Sequence, residues 1–293
     1  MLNVLEYLQK CSVDGLLPWS AQLEAVERLS LSHAAVEEIA LVSGLLPARY
    51  QRNRNMISVA EQLQLFRSRI AVIGCGGLGG YIIEELARLG IGQIVAVDPD
   101  KFEEHNLNRQ LFSTTRNLGK AKVAAALDRV NEVNPSVKLI PVRTFFRAAN
   151  GRELLQGVTV AVDALDSIAC RLELAETCAG MDIPMVHGAI GGWYGHVATQ
   201  LPGDTTVQSI YRNWVQGNGI EKDLGNPAFT PAVVASLQVA EVCKLVLGRG
   251  ELLRRRKLSI DLLEMEMHEI PYHAPAEVIH FPTREIERER AAG

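Results

Sequence analysis

The sequence predicts an α/β protein built on a doubly wound, mostly parallel sheet, with antiparallel strands near its C-terminal end and a small helical segment in front. Three observations carry that expectation. From residue 69 onward short apolar runs alternate with stretches of helical spacing, a glycine-rich turn follows the first run, and 47% of the 293 residues are apolar, enough for a large core.

Taken in order, residues 1–48 place Leu23, Val26 and Leu29, then Val36, Ile39 and Ala40, at helical spacing, with Ser32 as a cap of the second helix and Gly44 as its end. Amphipathic helix pairs of this kind pack far more often than they bind DNA. Strands are predicted over Arg69–Ile73, Gln93–Val97, Val137–Val142, Val158–Val162 and Met185–Ala189, with helices over Leu78–Leu89, Lys120–Asn134 and Ile168–Gly180 between them. A strand over Trp193–Leu201, a polar loop over Pro202–Pro227, a helix over Pro231–Leu247 and strand-like segments over Lys257–Glu269 follow. The expected division is a helical extension at 1–48, a nucleotide-binding domain at 49–275 and a charged tail at 276–293. No internal repeat is evident.

A net charge of −4 gives no bulk reason to expect nucleic-acid binding. Five scattered cysteines form no C-x-x-C pair, which fits a reduced, cytoplasmic protein without a structural zinc. The first residues read as no export signal, and no apolar run is expected to reach the roughly 20 residues a bilayer requires.

Chemistry concentrates between residues 70 and 122. Gly74, Gly76, Gly77 and Gly79 follow a buried strand in the pattern G-x-G-x-x-G, where a tight turn brings backbone N–H groups against a phosphate. Asp98 lies about twenty residues beyond, where an acidic group accepts hydrogen bonds from ribose hydroxyls. These features alone fit NAD(H) as well as ATP in a Rossmann-like fold. Asn106, Arg109 and Gln110 add amides and a fixed cation after the next strand, which points to a triphosphate.

The segments RYQRN at 49–53, VIGCGGLGG at 72–80, DPDKFEEHNLNRQ at 98–110, LGKAK at 118–122 and VDALDS at 162–167 occur in the order seen in the MoeB/ThiF/HesA family, bacterial relatives of ubiquitin-activating enzymes. The chain resembles that family over roughly residues 49–265. The resemblance implies an ATP-binding adenylation domain that activates the C-terminal glycine carboxylate of a small β-grasp sulfur carrier ending in Gly-Gly, using Mg2+ and ATP and releasing pyrophosphate. It implies that Asp98, with Asp100 beside it, holds the ribose side of the nucleotide, that Asn106, Arg109, Gln110 and Lys122 surround the phosphates, and that Asp166 ligates magnesium. It also implies a homodimer in which Arg52 reaches the partner's active site.

The chain departs from many members in lacking their two zinc-binding C-x-x-C pairs, one of which falls where this chain reads QSIYRNW at 208–214. The segment Asn218–Pro227 also lacks the cysteine that several relatives use for thioester or persulfide chemistry, so adenylation without covalent transfer is expected. Cys75, Cys170, Cys178 and Cys243 are read as buried small residues, and His187 and His196 as structural or substrate-lining. Three alternatives stay open: activation of a non-protein carboxylate, as in a dehydratase acting on threonylcarbamoyladenosine in tRNA; a nicotinamide-dependent oxidoreductase; and a non-catalytic scaffold of the same fold.

Overall fold

The computed structural model describes residues 4–214 and 224–272. Its main sheet has eight strands: β3 (Arg69–Ile73), β4 (Gln93–Val97), β5 (Lys138–Val142), β6 (Val160–Asp163), β7 (Met185–Gly191), β8 (Tyr194–Gln200), β9 (Arg256–Asp261) and β10 (Glu266–Pro271). They lie in the order β10-β9-β8-β7-β6-β3-β4-β5. The first five are parallel and the last three antiparallel, as the sequence predicts.

The parallel strands are apolar throughout because both faces are covered. On one face α5 (Gly77–Leu89), α6 (Lys122–Val133) and α10 (Phe229–Leu247) pack Ile82, Ala126 and Val234 against Ile70, Val72 and Ile94. On the other, α7 (Ala148–Leu154), α8 (Ile168–Ala179) and α9 (Thr206–Ile210) frame a core of Ile73, Val95, Leu155, Leu174 and Val207. The chain leaves β3 toward β4 on one side and returns to β6 on the other, so a crevice opens at the carboxyl ends of these strands.

Some elements differ from expectation. The helix α4 (Val59–Arg67) was not predicted, although Ser58 and Glu61 form a reciprocal capping box at its start. α7 was also missed, and α9 lies inside the predicted loop over Pro202–Pro227. Residues 215–223 of that loop and the tail 276–293 lie outside the described residues. The helix expected to start at Lys120 starts at Lys122, because Ala121 bridges to Lys101.

One helix bears on the membrane expectation. At 19 residues and a mean hydropathy of 1.5, α10 is long and apolar enough to cross a membrane by length and composition. Here it packs against α5, β7 and β8, and it buries Gln238 and Glu241, whose side chains bond Asp163 O, Thr199 Oγ1 and the Leu253 N–H. Its apolar character serves the core.

The N-terminal segment holds α1 (Val4–Cys11), α2 (Trp19–Leu29) and α3 (His33–Val42), packed around Leu8, Leu17, Ala25, Val36 and Ala40. Ser32 caps α3 through the Ala35 N–H at 3.1 Å, and Gly44 past its end takes a φ of +82°. Two short strands, β1 (Leu16–Leu17) and β2 (Leu46–Pro47), pair in parallel and return the chain to the main domain. There Arg49 donates to Gln22 Oε1 at 2.7 Å and to Asn134, while the Tyr50 hydroxyl donates to Glu37 Oε1 at 2.7 Å and accepts from Asn134 Nδ2 at 2.8 Å.

Candidate active site

A cavity of about 650 Å³ occupies the crevice, a size suited to a small ligand. β3 delivers the glycine loop to its floor. Gly74 has a φ of +100°, and a Cβ there would lie 2.4 Å from the carbonyl oxygen of Ala164. A Cβ at Gly79 would lie 1.9 Å from the carbonyl oxygen of Gly74. Only glycine lets the first turn of α5 fold this closely onto the strand end. No side chain caps α5 at Gly76, so its first N–H groups face the cavity with the positive end of the helix dipole.

Asp98, at the end of β4, accepts from the Cys75 N–H at 2.7 Å through Oδ2 and from the Asp100 N–H at 2.8 Å through Oδ1. Burial raises its carboxyl pKa, while Lys122 and these two backbone donors oppose the shift. The buried Lys122 donates its Nζ to Asp100 Oδ2 at 2.9 Å.

The excursion from Pro99 to Ala121 closes on itself through the Phe102 N–H on Lys120 O and the Gly119 N–H on Phe102 O. Within it, Asn106 Oδ1 accepts from the Glu103 N–H at 2.9 Å, and Asn106 O accepts from the N–H groups of Arg109 and Gln110. Asn106 thereby shapes the turn that carries Arg109 and Gln110 to the cavity wall. Arg109 bonds only neutral acceptors, His105 O at 3.0 Å and Asn108 Oδ1 at 2.9 Å, so no carboxylate among the described residues offsets its charge. Burial lowers its pKa. Gln110 is 6% exposed and its Oε1 has no hydrogen-bond partner among the described residues.

Gly74, Gly76, Gly77, Asp98, Asp100, Arg109, Gln110, Lys122 and Asp166 therefore line one cavity. Gly79 and Asn106 stand behind its wall, and Arg52 is exposed outside the cavity of its own chain. Sequence reasoning missed Thr144, Phe145 and Arg147, although residues just past the carboxyl end of a parallel strand, here β5, are where such sheets meet ligands. It also missed Arg171. Cys170 corrects an expectation: it is half-buried on the first turn of α8, lines the cavity and accepts from Arg147 Nη1 at 3.3 Å. Cys75 and Cys178 are buried, as expected.

Beneath the cavity, the fully buried Asp163 and His187 meet at 2.6 Å between Oδ2 and Nδ1, and His187 Nε2 lies 3.0 Å from His196 Nε2. Burial holds both imidazoles below their ordinary value of 6.5. Below that pH the unfolded chain binds protons that the folded chain refuses, so stability is full above it and falls as the pH drops toward the folded-state values. A His196→Gln variant is expected to lose less stability between about pH 6.5 and 5 than the parent in urea unfolding. Equal losses would contradict this.

The family model described as the ThiF family matches residues 50–278. The chain belongs to the ThiF family. Among similar proteins, the SAMP-activating enzyme E1 of Haloferax volcanii is 33% identical, the match covering 76% of this chain and 84% of that one. The sulfur carrier protein adenylyltransferase of Thermus thermophilus is 29% identical over 76% of this chain and 86% of that one. A maize adenylyltransferase and sulfurtransferase, MOCS3-1, is 30% identical over 75% of this chain, which spans only 49% of that longer relative. Among solved structures, Escherichia coli MccB with AMPCPP and MccA superposes with a TM-score of 0.66 at 21% identity, covering 76% of this chain and 71% of that one. E. coli tRNA N6-threonylcarbamoyladenosine dehydratase, TcdA, with AMP gives 0.59 at 22%, covering 69% and 95%. At these identities the two structures show that this ThiF-family chain shares their fold.

Proposed function

We propose that this ThiF-family chain is an ATP-dependent adenylyltransferase that activates the C-terminal carboxylate of a small ubiquitin-like sulfur carrier protein and releases pyrophosphate. The observation that carries the reading is the guanidinium of Arg109, which no carboxylate among the described residues offsets, beside the open start of α5 in the cavity that Asp98 and Lys122 also line. A dinucleotide needs no such cation beyond the glycine loop; a triphosphate that must accept a carboxylate nucleophile does. The names of the similar proteins support the same substrate class.

In this reading the carboxylate attacks the α-phosphorus and pyrophosphate departs. Asp98 receives the ribose hydroxyls on its remaining lone pairs, and the first N–H groups of α5 face the polyphosphate. Arg109 meets charge that grows on the leaving group, and Gln110 offers its orphaned oxygen to a donor on the incoming chain or nucleotide. Lys122 must exchange Asp100 for phosphate oxygens, which sets its charge free only when the nucleotide is present. The protein supplies position and charge rather than a covalent bond.

Asp166 is exposed on the cavity wall after β6, and a single carboxylate there, with phosphates and water, fits the way magnesium is held in phosphoryl-transfer sites. The bound ion would neutralise polyphosphate charge. Among the described residues no group of three His, Cys, Asp or Glu side chains that could hold a metal ion occurs. The proposed assembly is a homodimer in which the exposed Arg52 enters the partner's cavity.

The test is pyrophosphate exchange into ATP by the full chain, with candidate β-grasp carriers ending in Gly-Gly. Exchange that requires the Gly-Gly end is expected; the absence of both exchange and Mg-ATP binding would overturn the reading.

A further inference from the structure

The loop that carries Asp166 is held by a closed ring of side chains. Leu165, the residue before Asp166, gives its N–H to Asp163 Oδ1 at 2.9 Å, and its carbonyl accepts from Arg171 Nη2 at 2.7 Å and Nε at 3.2 Å. From Asp163 the ring runs through Oδ2 to His187 Nδ1 at 2.6 Å, and from His187 Nε2 to the Tyr211 hydroxyl at 3.2 Å. It returns from Tyr211 to Arg171 Nη1 at 2.8 Å, and so to Leu165. Four elements meet in it: β6, β7, α8 and the turn after α9.

Both backbone polar groups of Leu165 are thus fixed by groups that are themselves buried, with Asp163 and His187 at 0% and Arg171 at 2% exposure. The same loop touches the glycine turn, since the Ala164 N–H donates to Ile73 O at 2.9 Å and the Ala164 carbonyl leaves no room for a Cβ at Gly74. A one-ångström shift here would move a cavity carboxylate and press on the phosphate loop together. Fixing such geometry by supporting contacts is how a site keeps its ligands in place.

One neutral tautomer of His187 suits the carboxylate beside it. His187 donates from Nδ1 to the carboxylate, which leaves one lone pair on Nε2. The Tyr211 hydroxyl lies 3.2 Å and His196 Nε2 3.0 Å from that nitrogen, while the Tyr211 oxygen accepts from Arg171.

We infer that His187 is a positioning residue for nucleotide activation, closing the hydrogen-bonded ring that fixes Leu165 and, through it, the carboxylate of Asp166. The inference rests on the adenylyltransferase reading for the role of Asp166, and its effect is read by binding alone. His187 acts through Asp163 and Tyr211 and touches no reacting atom.

The experiment is calorimetric titration of ATP into the full chain at stepped magnesium concentrations, without any carrier. His187→Phe, which keeps a ring but no hydrogen bonds, is expected to raise the magnesium concentration for half-maximal ATP affinity about tenfold, the range of supporting-contact losses at metal sites. AMP binding without magnesium should stay within about twofold, because Asp98 and the glycine loop are untouched. Asp166→Asn should show the same magnesium defect, and the double variant should add nothing to it. His187→Asn restores a donor to Asp163 and should recover part of the loss. Tyr211→Phe deletes a single hydroxyl and should move the magnesium dependence in the same direction even if His187→Phe folds poorly. Additive losses in the double variant, or equal losses of ATP and AMP binding, would overturn the inference. A parent chain that binds no Mg-ATP would instead sink the adenylyltransferase reading.

Discussion

Replacing Arg109 with alanine is expected to lower carrier-dependent pyrophosphate exchange by about 100- to 1,000-fold, the scale seen when one preorganised donor to developing negative charge is removed. The reasoning is electrostatic. The guanidinium is partly buried, is held by two neutral oxygens and, among the described residues, has no carboxylate to leave before it meets phosphate. The fold has already met its desolvation cost, so its full charge is available when the leaving group forms. Because Arg109 supports only its own loop, through His105 and Asn108, the melting temperature should move by no more than about 2 °C. Arg109→Lys keeps the charge without the planar fork and should fall between. Exchange by Arg109→Ala within threefold of the parent would mean that the cation has another purpose.

Gly79→Ala is expected to have the largest effect on the fold, about 2–4 kcal/mol of stability together with loss of ATP binding. The added carbon would meet the Gly74 carbonyl oxygen at 1.9 Å and its carbon at 2.8 Å. Those atoms are main chain at the end of a central strand, so relief requires the first turn of α5 to lift off the sheet. Gly77→Ala is the matched control two residues away. There a Cβ meets nothing nearer than Pro231 at 3.6 Å, an ordinary contact, and alanine suits a helix. Urea midpoints for the two variants should therefore separate clearly, and equal midpoints would refute the packing argument.

Much of the fold was legible because its signals are local. Ile70–Ile73, Ile94–Val97 and the glycine turn each announce a strand end by composition, and their pairing follows from the right-handed crossover rule. The short helices α7 and α9 were not legible in the same way, since seven and five residues carry too few turns for a period to show. The capping box at Ser58 was present in the letters and marks α4.

At the site, Asp98, Arg109, Lys122 and Asp166 were named from motifs and converge on one cavity. The bond from the Glu103 N–H to Asn106 was harder to see, because a side chain that braces a turn and one that contacts a ligand are spelled alike. The ring through His187 and Tyr211 joins residues 24 apart in sequence across different elements, and no spacing rule encodes such a meeting. Cys170 was misread for a similar reason, since which side of α8 looks into the crevice depends on how that helix sits on the sheet.

The junction at Arg49 and Tyr50 has a practical consequence for anyone shortening the chain. Glu37 and Gln22 on the N-terminal helices satisfy polar groups that are rooted in the main domain, and Leu41 and Leu46 share an apolar cluster with Tyr50 and Phe66. A cut at residue 48 would uncover that cluster and strip the Tyr50 hydroxyl of its acceptor. The first helices are thus mortared to the catalytic body, and a truncated product would begin life with an open wound where its wild-type counterpart has a wall.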